Sequence, residues 1–304
     1  MQSGSETFPT LTVVFINFNS TRFLDQALAS LAAAEPEAAI EKVVVDNASK
    51  DREEVKAVCT RHGCRLLALA RNVGYGAAAN RGFRVARGRY VAVANPDVEF
   101  SAGSMSALVR LMEATPGCGA VSPQLVYPDG TPQPSARRFP RLRFALAGRR
   151  SVTARLFPGL SRVQEFQYQG IEQAQAPVPV EAVIGTCVLF RREALAAVSG
   201  FDERYFMFAE DVDICRRLGQ AGWQVLLEPR VKVRHFYGGV RQRFRRLTGF
   251  HRLRALRQFF EEDQPASLRA LLTFGFVAYL CVTEAAGLVG LGEFEYSWRG
   301  PARN

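Results

Sequence analysis

The sequence lacks several features that would place it in other classes of protein. Its 304 residues contain no Cys-x-x-Cys pair, and its six cysteines show no zinc-finger spacing. We therefore interpret them as reduced, mostly buried thiols of a cytosolic protein. The first ten residues are polar and have neither the basic start nor the apolar run of a secretory signal. No helix-turn-helix, zinc-finger or RNA-recognition pattern accompanies the net charge of +10, so nucleic acid is not an expected partner.

Long hydrophobic runs are also missing. The longest uncharged stretch near the C-terminus, Ala270–Thr283, is too short to span a bilayer comfortably. Before it, arginines interleave with apolar residues spaced three apart, a pattern that predicts a basic amphipathic helix suited to a membrane surface. A helical hairpin packed on the main domain explains the same pattern. We therefore divide the chain into a main domain, residues 1–240, and a helical extension, residues 241–304, and expect a cytoplasmic protein, peripheral at the inner face of the cell membrane.

The first hundred residues contain apolar strands that alternate with helical patterns. Continuous apolar runs lie at residues 11–17, 43–46 and 90–94, and a shorter one begins at residue 65. Runs of this kind are typical of strands that are buried on both faces of a parallel sheet. Four strands alternating with helices predict a doubly wound α/β domain.

Polar side chains follow three of these strands at the point where each strand ends. They are Asn17, Asp46 and Asp97. Pro96 has no N–H for a strand ladder and so ends the fourth strand just before Asp97. Ligands of open α/β sheets bind outside the carboxyl ends of the strands, so the three side chains should converge on one crevice. By itself, Asn95-Pro96-Asp97 is also an ordinary turn sequence.

A glycine loop offers a competing interpretation. The stretch Gly74-Tyr-Gly76-Ala-Ala-Ala79 resembles a dinucleotide fingerprint, and Asp97 follows it at about the distance of a ribose-binding acid. On this interpretation the protein is an NAD-dependent oxidoreductase that uses the Gly74-x-Gly76 loop. Against it, the loop follows the third strand rather than the first. A dehydrogenase also has no need of the cluster Glu210-Asp211-Val-Asp213 or of the later His235.

Further motifs complete an ordered set. The set comprises Val14-Phe-Ile-Asn-Phe-Asn19, Val43-Val-Val-Asp-Asn-Ala-Ser49, Asn72-Val-Gly-Tyr-Gly-Ala-Ala-Ala-Asn-Arg-Gly82, Asn95-Pro-Asp-Val98, Gly200-Phe-Asp-Glu203, Phe208-Ala-Glu-Asp-Val-Asp-Ile-Cys-Arg216, Gly222-Trp223 and His235. Together these motifs resemble the inverting family 2 glycosyltransferases of GT-A fold, in particular their bacterial rhamnosyltransferase-like branch. The resemblance covers about residues 11–240, and the order of the motifs is more specific than any one of them.

The resemblance implies a fold and an activity. The fold is the Rossmann-like nucleotide-diphospho-sugar transferase: a mixed, mainly parallel sheet flanked by helices, here followed by the C-terminal helical extension. The activity is metal-dependent, inverting transfer of a sugar, with L-rhamnose the candidate, in the synthesis of cell-envelope polysaccharide. The donor would be a dTDP or UDP sugar and the acceptor a glycan or polyprenyl-linked glycan. A non-catalytic nucleotide-sugar binding module remains an alternative, and a homo-oligomer is left open.

The resemblance also assigns roles to residues. Asp211 matches the catalytic base, although a helix N-terminus also favours acidic residues. Asp97 and His235 match ligands of Mg²⁺ or Mn²⁺, and Asn95 replaces the first acid of the metal motif. The expected nucleotide- and substrate-binding residues are Asn17, Phe18, Asp46, Asn72, Gly74, Gly76, Asn80, Asn95 and Arg241.

Two expectations concern the remaining arginines. Residues 131–178 lose periodicity and are predicted to make a long excursion over the surface, which carries a basic block at residues 137–155 of unassigned role. Arg191 and Arg192 are candidates for the acceptor side of the site.

Overall fold

The apolar runs of the first hundred residues form one half of a large sheet. The computed structural model describes residues 9–140 and 168–236, with positions 251, 254–255, 257–260 and 275. Its strands are β1 (Leu11–Asn17), β2 (Ile40–Asp46), β3 (Arg65–Ala68), β4 (Tyr90–Ala94), β5 (Val98–Phe100), β6 (Cys118–Val126), β7 (Ala136–Arg137), β8 (Val178–Pro179), β9 (Ala182–Val183), β10 (Cys187–Arg191) and β11 (Gln224–His235). Every residue of β1 and β4 is buried, as the continuous apolar runs predicted.

The sheet is mixed. Its order is β3-β2-β1-β4-β10-β6-β11-β5, with β8 also paired to β11. The first four strands are mutually parallel. β10 is antiparallel to both of its neighbours, β11 is parallel to β6, and β5 and β8 are antiparallel to β11. A separate two-stranded sheet joins β7 to β9.

Helices cover the sheet. They are α1 (Thr21–Ala34), α2 (Arg52–Arg61), α3 (Tyr75–Val85), α4 (Ser104–Ala114), α5 (Arg192–Ala197) and α6 (Glu210–Gln220). α1 shows how they attach: Leu24, Leu28 and Leu31 recur at intervals of three and four, so they share one face, and all three are buried. The predicted mixed, mainly parallel sheet flanked by helices is confirmed.

The chain divides into two compact units, Met1–Ala255 and Leu256–Asn304. The boundary predicted at residue 240 falls in a stretch outside the described residues. Among the residues that are described, no helix is both long enough and apolar enough to cross a bilayer.

The residues from Gln224 to His235 form a single strand, β11, whose register with β6 shifts between Glu228 and Lys232. The prediction of a surface excursion over residues 131–178 was wrong at its start, because Gln133, Ser135 and Ala136 are almost inaccessible to solvent. These three side chains belong to the interior, next to the carboxyl edge of the sheet.

Candidate active site

Asn17 and Asp46 end two neighbouring parallel strands and lie opposite each other in register. Asn17 Nδ2 donates to Asp46 Oδ1 at 3.0 Å. Ser49 donates through its hydroxyl to the same oxygen at 2.5 Å and through its backbone N–H to Oδ2 at 3.1 Å. A carboxylate has about four acceptor positions, so one position remains on Oδ2. The three hydrogen bonds hold the carboxylate of Asp46 in one orientation, and the residue is only 1% exposed.

Ser49 lies three residues before α2 but does not cap it, because that helix begins at Arg52 with Asp51 in the capping position. Its hydroxyl instead accepts from Asn17 Nδ2 at 3.1 Å and from the backbone N–H of Asn19 at 2.8 Å. Ser49 thereby ties the end of β1 to the loop after β2. Phe18 lies half-buried in the same turn.

The glycine loop before α3 is held by polar side chains. Asn72 Oδ1 accepts from the Gly74 N–H at 2.9 Å and from Asn47 Nδ2 at 3.0 Å. Gly74 has a φ of +90°, and a Cβ there would lie 2.4 Å from the carbonyl oxygen of Phe206. The backbone N–H of Tyr75 donates to that same oxygen. Glycine is thus required where the loop meets the segment that leads to α6.

The rest of this loop packs against the same segment. A Cβ on Gly76 would lie 3.0 Å from the Cβ of Phe201. Asn80 accepts from the Phe201 N–H and donates to the Phe201 carbonyl. Asn72, Gly74, Gly76 and Asn80 therefore all have structural partners, and their contact with a nucleotide stays a prediction.

Asp97 and His235 are far apart in the sequence but meet at the edge of the sheet. Asp97 lies between β4 and β5, and His235 is the last residue of β11, paired with Val98. Asp97 Oδ2 lies 3.5 Å from His235 Nε2. Both side chains are mostly buried. Asn95 precedes this pair, and its backbone N–H donates to the carbonyl of Thr186 at 2.8 Å.

Gln133 orients the imidazole of His235. Its amide nitrogen donates to the His235 carbonyl at 2.9 Å, so its amide oxygen faces Nδ1, also at 2.9 Å. That oxygen can only accept, which places a proton on Nδ1. A neutral imidazole in this tautomer directs the lone pair of Nε2 towards Asp97, as in metal-binding histidines.

This pair fits a divalent cation. The carboxylate oxygen Oδ2 of Asp97 and the lone pair of His235 Nε2 lie 3.5 Å apart. They repel each other unless a proton or a cation lies between them. Among the described residues there is no cluster of three acidic, histidine or cysteine side chains that could hold a metal. Two protein ligands suit a cation that is completed by substrate phosphate and water, as is usual for Mg²⁺. Mn²⁺ accepts the same oxygen and nitrogen donors.

Asp211 lies in the first turn of α6 and is engaged on both oxygens. Oδ2 accepts from Arg137 at 2.5 Å and from the backbone N–H of Gly185 at 3.1 Å. Oδ1 accepts from the N–H of Val212 at 2.9 Å. Asp213, two residues later, is fully buried and pairs with Arg216 and Arg217 of its own helix. The two acids therefore have different partners: Asp213 pairs with arginines of its own helix, whereas Asp211 contacts residues from other parts of the chain.

Glu210 is a third acid at this helix end. Burial, and then the neighbouring charge of Asp211, raise the pKa of Glu210 to about 8. Its Oε2 is buried and has no hydrogen-bond partner among the described residues. Glu210 is therefore mostly protonated at neutral pH, and Asp211 is the acid that is ion-paired with Arg137.

The backbone that leads into α6 is strained. Phe208 and Ala209 have φ values of 70° and 61°, the left-handed region that costs a side-chain-bearing residue about 1–2 kcal/mol. Strain of this kind clusters at functional sites and persists only when the surroundings hold it. Here the contacts of Phe206 with Gly74 and Tyr75 provide part of that support.

Three contributors to the site escaped the sequence-based predictions: Gln133, Arg137 and Ser49. The two arginines proposed for the acceptor side have other partners, because Arg191 donates to carbonyls at the end of α4 and Arg192 to carbonyls after α3. Arg241 lies outside the described residues. The signal that could have found Arg137 is its position at the start of the basic block, although nothing in the sequence says which acid it meets.

Comparisons with known sequences identify the family. The pattern described as "Glycosyl transferase family 2" matches residues 12–198, and "Glycosyl transferase family group 2" matches residues 167–292. The N-acetylglucosaminyl-diphospho-decaprenol L-rhamnosyltransferase of Mycobacterium tuberculosis is 36% identical over 74% of this chain and 75% of that protein. Rhamnosyltransferase WbbL of Escherichia coli is 32% identical over 28% of this chain and 34% of its own length.

Solved structures show the same fold. A mannosyltransferase from Pyrobaculum calidifontis in complex with GDP-Man and Mn²⁺ has a TM-score of 0.56 at 20% identity, covering 95% of this chain and 77% of that one. TarS of S. aureus, residues 1–349, has a TM-score of 0.53 at 15% identity, covering 88% of this chain and 70% of that one. Nothing in these findings supports the oxidoreductase interpretation of Gly74 and Gly76. The chain belongs to glycosyltransferase family 2 and is a rhamnosyltransferase-like glycosyltransferase of GT-A fold.

Proposed function

We propose that this glycosyltransferase moves L-rhamnose, with inversion, from a dTDP- or UDP-linked donor to a lipid-linked glycan whose terminal sugar is N-acetylglucosamine. The proposal rests on one geometric observation. Asp46, the Asp97–His235 pair and Asp211 lie on strand ends and a helix start that are joined by direct contacts. The name of the M. tuberculosis relative supplies the donor sugar and the acceptor class.

Asp211 is the proposed catalytic base. The acceptor oxygen attacks the anomeric carbon from the face opposite the diphosphate, and the bond from that carbon to the diphosphate oxygen breaks. The acceptor proton passes to Asp211, and the products are the new glycoside and the nucleoside diphosphate. An aspartate suffices because the attacking hydroxyl becomes acidic only as the glycosidic bond forms.

Asp46 is the proposed recognition group for the nucleobase. Its remaining acceptor position, on Oδ2, suits the N3–H of a uracil or thymine ring, and a hydrogen bond to a carboxylate is stronger than a neutral one. Asn17 and Phe18 would lie along the base and ribose. The loop with Asn72, Gly74, Gly76 and Asn80, together with Asn95 and Arg241, would complete the donor site.

Asp97 and His235 are the proposed ligands of Mg²⁺ or Mn²⁺. Such a cation neutralises negative charge on a departing diphosphate by acting as a Lewis acid. The residues themselves hold it: Asp97 supplies a carboxylate oxygen, and Gln133 keeps the imidazole of His235 in the tautomer that can bind. The Mn²⁺ in the P. calidifontis complex agrees with this assignment.

We also propose peripheral attachment to the cytoplasmic face of the membrane, since a polyprenyl-linked acceptor resides there. The arginines at 243, 245, 246 and 252 would contact anionic lipid. Vesicle flotation of the full chain, with and without glutamine at these four positions, tests this: we expect the substitutions to reduce binding to anionic vesicles, and unchanged binding contradicts the proposal. Size-exclusion chromatography of the same samples tests for a homo-oligomer.

A panel of nucleotide sugars tests the function. The full chain is incubated with Mn²⁺, a lipid-linked N-acetylglucosamine diphosphate and, in turn, dTDP-L-rhamnose, several UDP sugars and GDP-mannose, and products are identified by mass spectrometry. We expect a rhamnosylated acceptor from dTDP-L-rhamnose, and from a UDP donor only where that donor carries L-rhamnose. We expect no mannosylated acceptor from GDP-mannose, whose guanine places a different edge against Asp46. Donor binding without transfer or hydrolysis would identify a binding module instead.

A further inference from the structure

Arg137 occupies an unusual position for a residue that contacts a catalytic base. It lies on β7, which pairs with β9 through Ala182, and its guanidinium meets Asp211 Oδ2 through one nitrogen. Its Nε is buried and has no hydrogen-bond partner among the described residues. The side chain is 26% exposed, so one edge reaches solvent. Among the described residues, the guanidinium therefore makes one hydrogen bond, to Asp211. Its remaining N–H groups can donate to another partner.

The contact opposes the step assigned to Asp211. Oδ2 of Asp211 accepts from both Arg137 and the backbone of Gly185, so its acceptor positions are occupied. An Asp211 that takes up a proton loses its ion pair with Arg137. Transfer is easier when Arg137 has another anionic partner at the moment the proton moves.

Among the described residues, no neighbouring side chain is an available anionic partner. Glu210 is adjacent, but burial keeps it mostly protonated at neutral pH. Arginine cannot lose its own proton, so it leaves Asp211 only for an incoming anion. Phosphate oxygens match the planar guanidinium with two parallel hydrogen bonds. The phosphate can come from the donor or from the acceptor, both of which carry a diphosphate under the proposed function.

Position favours the acceptor. The donor's diphosphate is assigned to Asp97 and His235, whose orienting residue is Gln133. Arg137 lies at the other end of the same short segment, beside the base that must meet the acceptor hydroxyl. Because the acceptor's diphosphate arrives with that hydroxyl, an arginine beside Asp211 is well placed to receive it.

We infer, on the basis of the proposed function, that Arg137 is a positioning residue that exchanges Asp211 for a phosphate oxygen of the acceptor's diphosphate, so that the base is released when the acceptor binds. Arg137 thereby couples recognition of a diphosphate-linked acceptor to proton transfer. An acceptor without phosphate would leave Asp211 paired and react slowly.

The test compares two acceptors with one donor. They are N-acetylglucosamine linked through diphosphate to a short alkyl chain and the same sugar as a plain alkyl glycoside. We expect wild-type protein to prefer the diphosphate acceptor. Arg137→Gln should lower kcat/KM for the diphosphate acceptor about 100-fold and raise it for the plain glycoside, because Asp211 is no longer paired. Arg138→Gln is the matched control, since Arg138 is 43% exposed and pairs with Glu181, and it should change neither value.

Separate values of kcat and KM add a measurement that a purely structural role would not change. In R137Q, the loss with the diphosphate acceptor should appear as a higher acceptor KM, because the guanidinium no longer binds a phosphate oxygen. An unchanged KM for this acceptor overturns the inference.

Other outcomes are equally decisive. Equal losses with both acceptors mean that Arg137 only positions Asp211 or serves the donor, and they overturn the inference. If R137Q does not fold, Arg137→Lys keeps the charge but not the paired donors, and it should lower the preference for diphosphate about tenfold. Calorimetric binding of the diphosphate acceptor without donor separates the two proposals: weaker binding by the variant supports the role of Arg137 even where no sugar is transferred, and unchanged binding overturns it.

Discussion

The two ends of the candidate site, the proposed donor end at Asp46 and the proposed base end at Asp211, are built differently. At the donor end, Asp46 is held by neutral groups from β1 and from the loop that follows its own strand. At the base end, Asp211 is held by a cation from β7 and by the backbone of Gly185, on a helix that begins after two left-handed residues. Strand register fixes the first arrangement, whereas the second depends on an ion pair and on strained backbone.

The difference matches the tasks of the two ends. A nucleotide must be recognised in one orientation, and a preorganised acceptor on paired strands does so without rearrangement. A base must change its protonation state, so the groups around it need to adjust. The donor end should therefore respond to substitution through stability and donor affinity, and the base end through rate.

The largest expected effect is at the base. Asp211→Asn should lower kcat about 1000-fold, since general base catalysis supplies about 10²–10⁴, while the melting temperature stays near that of wild type. Asp213→Asn makes the same change two residues away, where the acid braces Arg216 and Arg217. It should lower the melting temperature and leave kcat per folded molecule intact. Full activity of folded D211N would remove Asp211 from the base role.

Metal removal is expected to come next. Excess EDTA should abolish transfer, and Mn²⁺ should restore it. Gln133→Leu keeps Asp97 and His235 but removes the acceptor for Nδ1, so the Mn²⁺ concentration for half-maximal activity should rise about tenfold. His235→Gln should require more Mn²⁺ still. Turnover that persists in EDTA contradicts the assignment of metal to this pair.

A smaller effect is expected at the donor end. Asp46→Asn replaces an oxygen that accepts from Asn17 and Ser49 with an amide, and hydrogen bonds to charged groups are worth about 1.5–3 kcal/mol. We expect the donor KM to rise about tenfold, the melting temperature to fall, and kcat to change little. Asp129→Asn, the same substitution in an exposed turn, is the control. A fall in kcat with unchanged KM would mean that the donor end also takes part in the chemistry.

The last expected effect is on stability rather than on rate, and it concerns the pH dependence of unfolding. The pKa of Glu210 is raised to about 8 in the fold, so between about pH 4.5 and 8 the folded state holds a proton that the unfolded state has released. The free energy of unfolding contributed by this group therefore falls as pH rises through that window and is flat above it. Glu210→Gln, which stays neutral, should gain in melting temperature relative to wild type from pH 5 to 8. A difference that is constant with pH contradicts the raised pKa.

Much of the donor end could be predicted from the sequence, because its information is local. The continuous apolar runs of β1 and β4, each ended by polar residues or proline, predicted buried parallel strands and the convergence of Asn17 with Asp46. The acidic start of α6 could likewise be placed on a helix. Each of these signals is contained in about ten neighbouring residues.

The base end could not be predicted in the same way, because its contacts join distant segments. Arg137 and Asp211 are 74 residues apart, and Gln133 and His235 are 102 apart. No periodicity records which strand pairs with which, so the antiparallel insertion of β10 between β4 and β6 was not foreseen either. The glycine loop misled for a related reason: the close approach that requires Gly74 is to the carbonyl of Phe206, a contact visible only in the fold.

The segment from Gln133 to Arg137 limits the distance between two parts of the candidate site. Gln133 orients the histidine proposed to hold the metal, and Arg137 holds the proposed base. Their Cα atoms, four residues apart, can be separated by no more than about 14 Å whatever path the backbone takes. The distance between the backbones of these two residues is thus limited by the length of the segment. Inserting or deleting one residue here would shift Gln133 relative to Arg137, and with them the contacts to His235 and Asp211.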